Sequence, residues 1–164
     1  MAERLTLDEA DLRILSALQK DGTLSIAALS EVIALSHNSC WRRLKRLEAA
    51  GVIKGRVALL DAAKLGLELT AYVSIRTSEH SEEWLASFKR AVVALPEIVE
   101  LYRMTGDVDY LMKIRIANIE AYDRVYKKLI GMVRLTDVSS AFAMEEMKNT
   151  TELPLSTSPL TPVR

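Results

Sequence analysis

Apolar residues recur at three- and four-residue intervals through the first part of the chain and at two-residue intervals through much of the rest, so helices come first and strands follow. Leu7, Ile14, Leu15 and Leu18 mark a first helix, begun by Thr6 and Glu9 at capping-box spacing and stopped by Asp21-Gly22. Ser25 caps a second helix with Ile26, Leu29, Val32 and Ile33 on one face, and Ser36 caps a third a few residues later, across Ala34-Leu35. Two short helices joined by a tight turn behind a longer one make a helix-turn-helix candidate. After Gly51 the period changes, and Val52 to Leu60 reads as a strand interrupted by Gly55, a β-wing or connecting strand.

Residues 61–68, with Gly66, have linker character, and the pattern beyond them alternates between strand and helix. Strands are expected at Leu69 to Thr77, Ile98 to Thr105, Val108 to Ile116 and Val138 to Lys148, the middle two turning at Gly106-Asp107. Helices are expected at Glu82 to Leu95, ended by Pro96, and at Ile119 to Ile130. The order β-α-β-β-α-β is that of a ferredoxin-like fold. The fold class is therefore α+β, with a winged helix-turn-helix domain over residues 1–60, a linker over 61–68, a ferredoxin-like domain over 69–155 and a loose Pro/Ser/Thr tail over 156–164. Nothing in the chain remains to cover the second face of such a sheet, so dimerisation through it is expected.

Charge separates the two parts. The chain has no net charge, yet residues 36–56 hold Arg42, Arg43, Lys45, Arg46, Lys54 and Arg56 against Glu48 alone, a local charge of +5. A neutral protein with one cationic helix is built to meet phosphate in one place. An apolar fraction of 49% is ordinary for a globular core, and no apolar run approaches the ~18 residues of a membrane span. The single cysteine cannot form an internal disulfide, and Met1-Ala2-Glu3-Arg4 does not begin a signal peptide, so the expected compartment is the cytoplasm.

In the third helix Cys40, Leu44 and Leu47 form the apolar stripe, which places His37, Asn38, Ser39, Arg42, Arg43 and Arg46 largely on the open side. His37, Asn38, Ser39 and Arg42 are the candidates for reading bases, with Arg43, Lys45, Arg46, Lys54 and Arg56 on phosphates and Trp41 either packed on the second helix or against a sugar. The plain alternative is a solvated cationic helix. Cys40 reads as a small core hydrophobe, and two distant histidines, His37 and His80, do not make a metal site. No phosphate-binding Gly-rich loop, nucleophile elbow or metal-spaced Cys/His cluster is present.

The second motif is Met104-Thr105-Gly106-Asp107-Val108-Asp109-Tyr110. It reads first as a hairpin turn, Gly supplying an unusual backbone angle and Asp bonding its neighbours. Exposed N–H groups there can also hold a carboxylate while an aspartate accepts from an ammonium, which suits a free amino acid.

Taken together the chain resembles the leucine-responsive and asparagine-responsive (Lrp/AsnC) family of transcription regulators from Leu7 to about Leu155. The likeness rests on Leu7-Asp8-x-x-Asp11-x-x-Ile14-Leu15-x-x-Leu18-Gln19, on Arg43-Leu44-x-Arg46-Leu47-Glu48-x-x-Gly51-Val52-Ile53, on Gly106-Asp107-x-Asp109-Tyr110-Leu111, and on Met144, Lys148, Thr151, Leu153 and Pro154. The resemblance implies a winged helix-turn-helix domain, a RAM/ACT-like ferredoxin-like effector domain, binding to double-stranded DNA, and homodimers assembling to tetramers or octamers. It further implies an amino-acid effector and no other cofactor, with Met104 to Tyr110, Ala141 and Phe142 matching the effector site. The chain departs from the family's common pattern at Ser36 to Trp41, the base-reading positions, so no target sequence carries over.

Two rival readings bear comparison. The sirohaem decarboxylases also look like this family but carry histidine motifs in the strand that here reads Val99-Glu100-Leu101-Tyr102-Arg103, without histidine, so an enzyme is not expected. An effector sensor that no longer binds DNA is opposed by the cationic helix.

Overall fold

The computed structural model describes residues 6–155. Met1 to Leu5 and the expected tail at 156–164 lie outside the described residues. The chain divides into two compact units, one formed by residues up to Leu59 together with those from Lys148, the other by Leu60–Met147. No helix among the described residues is long and apolar enough to cross a membrane.

The first unit contains α1 (Glu9–Lys20), α2 (Ile26–Val32) and α3 (His37–Ala49). Ser25 and Ser36 cap α2 and α3 as expected, each accepting from the backbone N–H three residues on. The cap of α1 is different from the expected Thr6 and Glu9: Asp8 accepts from the Asp11 N–H, and the Asp11 carboxylate accepts from the Asp8 N–H. An aspartate at the third helical position reaches back as a glutamate does, so the helix starts two residues later than Thr6 would set it. Ile14, Leu29, Ile33, Cys40, Leu44 and Leu47 form the core where the three helices meet. Each large side chain so buried stabilises by about 1.5–3 kcal/mol.

Gly51, at φ 70°, ends α3 in a Schellman turn: its N–H reaches the Glu48 carbonyl and that of Val52 the Leu47 carbonyl. The strand expected at Val52 to Leu60 does not form. The segment finds no neighbour to pair with among the described residues, and a strand exists only through its ladder. Ile53 reaches the core of the first unit, but Val57 is 83% exposed and Leu59 and Leu60 nearly as much.

The second unit begins with a 3-10 turn at Ala63–Leu65, within the expected linker. It continues as β1 (Leu69–Arg76), α4 (Glu82–Val93), β2 (Ile98–Arg103), β3 (Tyr110–Ile116), α5 (Ile119–Met132) and β4 (Asp137–Phe142). The sheet order β2-β3-β1-β4 is antiparallel throughout, the ferredoxin-like arrangement read from the element order. Helix α4 stops at Val93, short of Pro96, because the residue before proline is kept from helical angles, and Leu95 still enters the core. Ala71, Val73 and Ile75 of β1 and Met112, Ile114 and Ile116 of β3 meet Trp84, Phe88, Val125 and Leu129 of the helices in one core. Alternation turns Tyr72, Ser74 and Arg76 to the opposite face, where no helix of this unit packs.

Strand β4 ends at Phe142, well before Lys148, because β1 supplies partners only as far as Ala71, with one further bond from the Ala143 N–H to the Thr70 carbonyl. The segment from Lys148, expected within the second domain, belongs instead to the first unit. There Leu155 joins the helical core, and the Gln19 amide both accepts from the Leu153 N–H at 2.6 Å and donates to its carbonyl at 3.3 Å.

Candidate functional site

Helix α3 buries Cys40, Leu44 and Leu47 and leaves His37, Asn38, Trp41, Arg42, Lys45 and Arg46 exposed. Ser36, Asn38, Ser39, Trp41 and Arg42 line a shallow open depression at its N-terminal end. Trp41 is 51% exposed, so it does not pack wholly on α2 and its ring is available beside Arg42. Cys40 is fully buried, and burial pushes its thiol pKa up, which suits a core hydrophobe and not a nucleophile.

The cations do not all face outward. Arg43 turns to α1, where its Nη1 donates to Asp8 Oδ2 at 2.6 Å and to Asp11 Oδ1 at 2.9 Å. Arg46 Nη2 donates to the other oxygen of Asp11, whose side chain is fully buried. Two further pairs use Glu48: Lys45 Nζ lies 2.9 Å from Oε2 and Arg56 Nη2 3.6 Å from Oε1. Arg42 and Lys54 alone among the expected cations make no ion pair among the described residues. Arg43, expected on the open side, is thus drawn inward by two carboxylates that sequence spacing did not connect to it. Asp8 responds in turn: burial works against its ionisation, but the Asp11 N–H and the Arg43 guanidinium hold its carboxyl below the usual range.

In the second unit, Met104 to Asp109 form the connection between β2 and β3, with Gly106 at φ 102°, an angle that disfavours other residues. The Met104 N–H closes the turn on the Asp109 carbonyl at 2.8 Å. The N–H groups of Thr105, Gly106, Asp107 and Val108 make no hydrogen bond among the described residues, and neither does the exposed Asp107 carboxylate. The tip therefore offers both donors and an acceptor.

Four further expected effector residues have distinct surroundings. Tyr110 is buried between Trp84 and Phe88, with ring centroids 5.8 and 4.8 Å away, and is a core residue. Asp109 is occupied, accepting from the Thr77 N–H at 2.8 Å. Ala141 and Phe142 point to opposite faces of β4: Ala141 pairs with Tyr72 on the open face, while the Phe142 ring meets Tyr122 of α5 edge-on at 5.1 Å. Asp8, Asp11 and Arg76 hold the α3 face and the β2–β3 tip from behind, contacts that local spacing does not reveal. The Asp8-x-x-Asp11 spacing is itself a capping-box signal. Among the described residues no cluster of His, Cys, Asp or Glu could hold a metal ion.

A capped helix-turn-helix whose last helix presents cations and polar side chains, carried with a ferredoxin-like unit, defines a DNA-binding regulator with a separate ligand-binding domain. Family models agree, a winged helix-turn-helix DNA-binding domain matching residues 7–54 and the Lrp/AsnC ligand-binding domain residues 70–153. The chain is 54% identical to the glutamate uptake regulatory protein of Zymomonas mobilis, with 91% of each chain covered. It is 51% identical to an AsnC family transcriptional regulator from Agrobacterium tumefaciens, TM-score 0.88, over 92% of this chain and 98% of that one. A transcriptional regulator of Neisseria meningitidis in complex with L-Met shares 35% identity at TM-score 0.86, over 92% of this chain and 97% of that one. The chain belongs to the Lrp/AsnC family of transcriptional regulators.

Proposed function

We propose that the protein binds paired half-sites on double-stranded DNA as a homodimer or a higher assembly of dimers, in the cytoplasm, under control of a free amino acid. Asn38 and Arg42, with His37, Ser39 and Trp41 beside them, read base edges; Lys45, Arg46, Lys54 and Arg56 meet the backbone. The observation that carries this reading is the exposure of Asn38 and Arg42 on one row of α3, Arg42 free of any ion pair among the described residues. The exposed Val57, Leu59 and Leu60 and the uncovered sheet face at Tyr72 support association with a second copy. The amino acid is held at the tip from Met104 to Asp109, its carboxylate on the free N–H groups and its ammonium on Asp107. Support comes from those unpartnered groups and from the L-Met complex of the Neisseria relative.

Selection of duplexes from a random pool, followed by titration of Arg42→Ala, tests the DNA face. The substitution should cost about 1–3 kcal/mol and relax preference at one position. Unchanged affinity and preference would refute the assignment. For the effector, a thermal-shift panel of free amino acids on the native chain and on Asp107→Ala should show one or more stabilising amino acids whose effect the substitution removes, with DNA binding retained.

A further inference from the structure

We propose that Asp11 is a positioning residue for DNA binding: its buried carboxylate makes Arg43 an internal strut and aims Arg46 at a phosphate. The inference rests on α3 being the DNA face. It concerns how that face is held from behind.

Asp11 sits at the start of α1 with its side chain fully buried. One oxygen accepts from Arg43 at 2.9 Å, and the other accepts from Arg46 and from the Asp8 N–H at 3.0 Å. The carboxylate thus spends its lone pairs on α3 and on its own helix cap. Arg43 is committed: Nη1 is shared between two carboxylates, Nε is buried without a partner among the described residues, and the side chain is only 25% exposed. Arg46 differs. A single nitrogen is engaged, the side chain is 45% exposed, and the remaining N–H groups have no protein partner among the described residues.

A guanidinium presents its donors in one rigid plane, so anchoring one nitrogen fixes where the others point. Arg46 lies four residues beyond Arg42, which lies four beyond Asn38, so the three share a row on the helix surface. Anchored at its far end, Arg46 extends that row from bases toward backbone. Ordering so long a side chain in advance lowers the entropy lost on binding. Asp8, Asp11, Arg43 and Arg46 sum to zero charge, so the two acids do not repel the phosphate that Arg46 meets.

The test measures binding of the full chain to a duplex selected by the native protein and to a scrambled duplex, across salt concentrations, for Arg42→Gln, Arg43→Gln, Arg46→Gln, Asp11→Asn and the Asp11→Asn/Arg46→Gln pair. Arg46→Gln should make the log-affinity against log-salt slope shallower by about 0.9, the value for one phosphate. Arg43→Gln should lower the melting temperature and leave the slope unchanged. Asp11→Asn should weaken both duplexes by the same factor, about tenfold, and should weaken binding no further once Arg46 is gone. A purely structural Asp11 predicts instead that its effect persists undiminished in the Arg46→Gln background, and that result overturns the proposal. So does a slope lost equally in Arg43→Gln and Arg46→Gln. If Asp11→Asn fails to fold, the contrast between the Arg43 and Arg46 variants decides alone. An Arg42→Gln variant that binds like the native chain overturns the α3 assignment itself, and this inference with it; an effective Arg42→Gln beside equal slopes at 43 and 46 overturns only this one.

Discussion

The Arg76 Nε donates to the backbone carbonyl of Asp107 at 2.7 Å, tying the end of β1 to the tip of the β2–β3 connection. The Asp109 N–H returns to the Ile75 carbonyl at 3.0 Å, and the Asp109 carboxylate takes the Thr77 N–H at 2.8 Å. Three bonds therefore tie to β1 and the residue after it a turn whose N–H groups from Thr105 to Val108 stay open among the described residues. Arg76→Met removes one of them. It should cost about 0.5–1.5 kcal/mol, speed amide exchange at Met104 and Asp109, and shrink the thermal shift given by any stabilising amino acid. An undiminished shift would mean that the tip is held rigid without Arg76.

Tyr110 separates a core role from a lining role. Its ring lies tilted against those of Trp84 and Phe88, and its hydroxyl makes no hydrogen bond among the described residues. Tyr110→Phe should therefore leave both stability and the amino-acid response close to native. Tyr110→Ala should cost about 3–5 kcal/mol, as large-to-small changes in aromatic cores do. Chemical denaturation together with the thermal-shift panel checks both.

The contrast between Tyr110 and Asp107 shows what sequence could and could not reveal. Helix caps at Ser25 and Ser36, the Cys40-Leu44-Leu47 stripe and the β-α-β-β-α-β order follow from local spacing, and all of them appear in the structure. Tyr110 and Asp107 belong to one motif, yet only the strand register decides that one enters the core and the other faces solvent. Helical spacing turns Arg43 outward because it says nothing about what approaches from another helix. Its partners, Asp8 and Asp11, lie more than thirty residues away in sequence. Val52 to Leu60 has a strand's composition without a strand's partner, and pairing cannot be read from one segment.

Acid should unfold the protein through carboxylates whose folded pKa values are depressed. Asp8 is held low as described, and Asp21, ordinarily near 3.8, by the Thr23 hydroxyl and then the Thr23 N–H. Glu100, ordinarily near 4.5, is lowered by the Tyr102 hydroxyl at 2.9 Å, against the opposing effect of burial, with help from Lys113 at 3.2 Å. Between each folded value and the higher unfolded one the unfolded chain binds more protons, so stability falls as pH falls. The contribution is complete above 4.5 and disappears as pH drops through the folded values. Tyr102 has the opposite sign: Glu100 raises its pKa above 10.0, so its contribution is complete below that pH and is lost as pH rises through the folded value. Denaturant midpoints followed from neutral into acid should decline more gently for Asp8→Asn and Glu100→Gln than for the native chain.

The turn that sets α3 against α2 carries its own strain at Ala34, the one non-glycine residue with positive φ, 54°, among the described residues. Its N–H reaches the Glu31 carbonyl at 3.2 Å and that of Leu35 the Ser30 carbonyl at 3.0 Å, so the left-handed angle is fixed by the turn's hydrogen bonds. Left-handed backbone costs an L-residue roughly 1–2 kcal/mol, whereas glycine avoids that cost at the expense of about 0.4–1 kcal/mol of unfolded-chain entropy. Ala34→Gly should therefore stabilise modestly, by less than about 1 kcal/mol. Ala34→Val adds a branched Cβ at the same angle and should destabilise by about 1–2 kcal/mol. The side chain is exposed, so packing does not blur the comparison. Ile33 and Leu35 flank the turn and join the helical core, so a valine that forces the turn to relax also displaces α3. Denaturation curves should rank glycine above alanine above valine, and binding to the selected duplex should weaken only for valine. A valine variant as stable as the native chain would mean that the turn relaxes without moving α3, and its DNA affinity should then be unchanged.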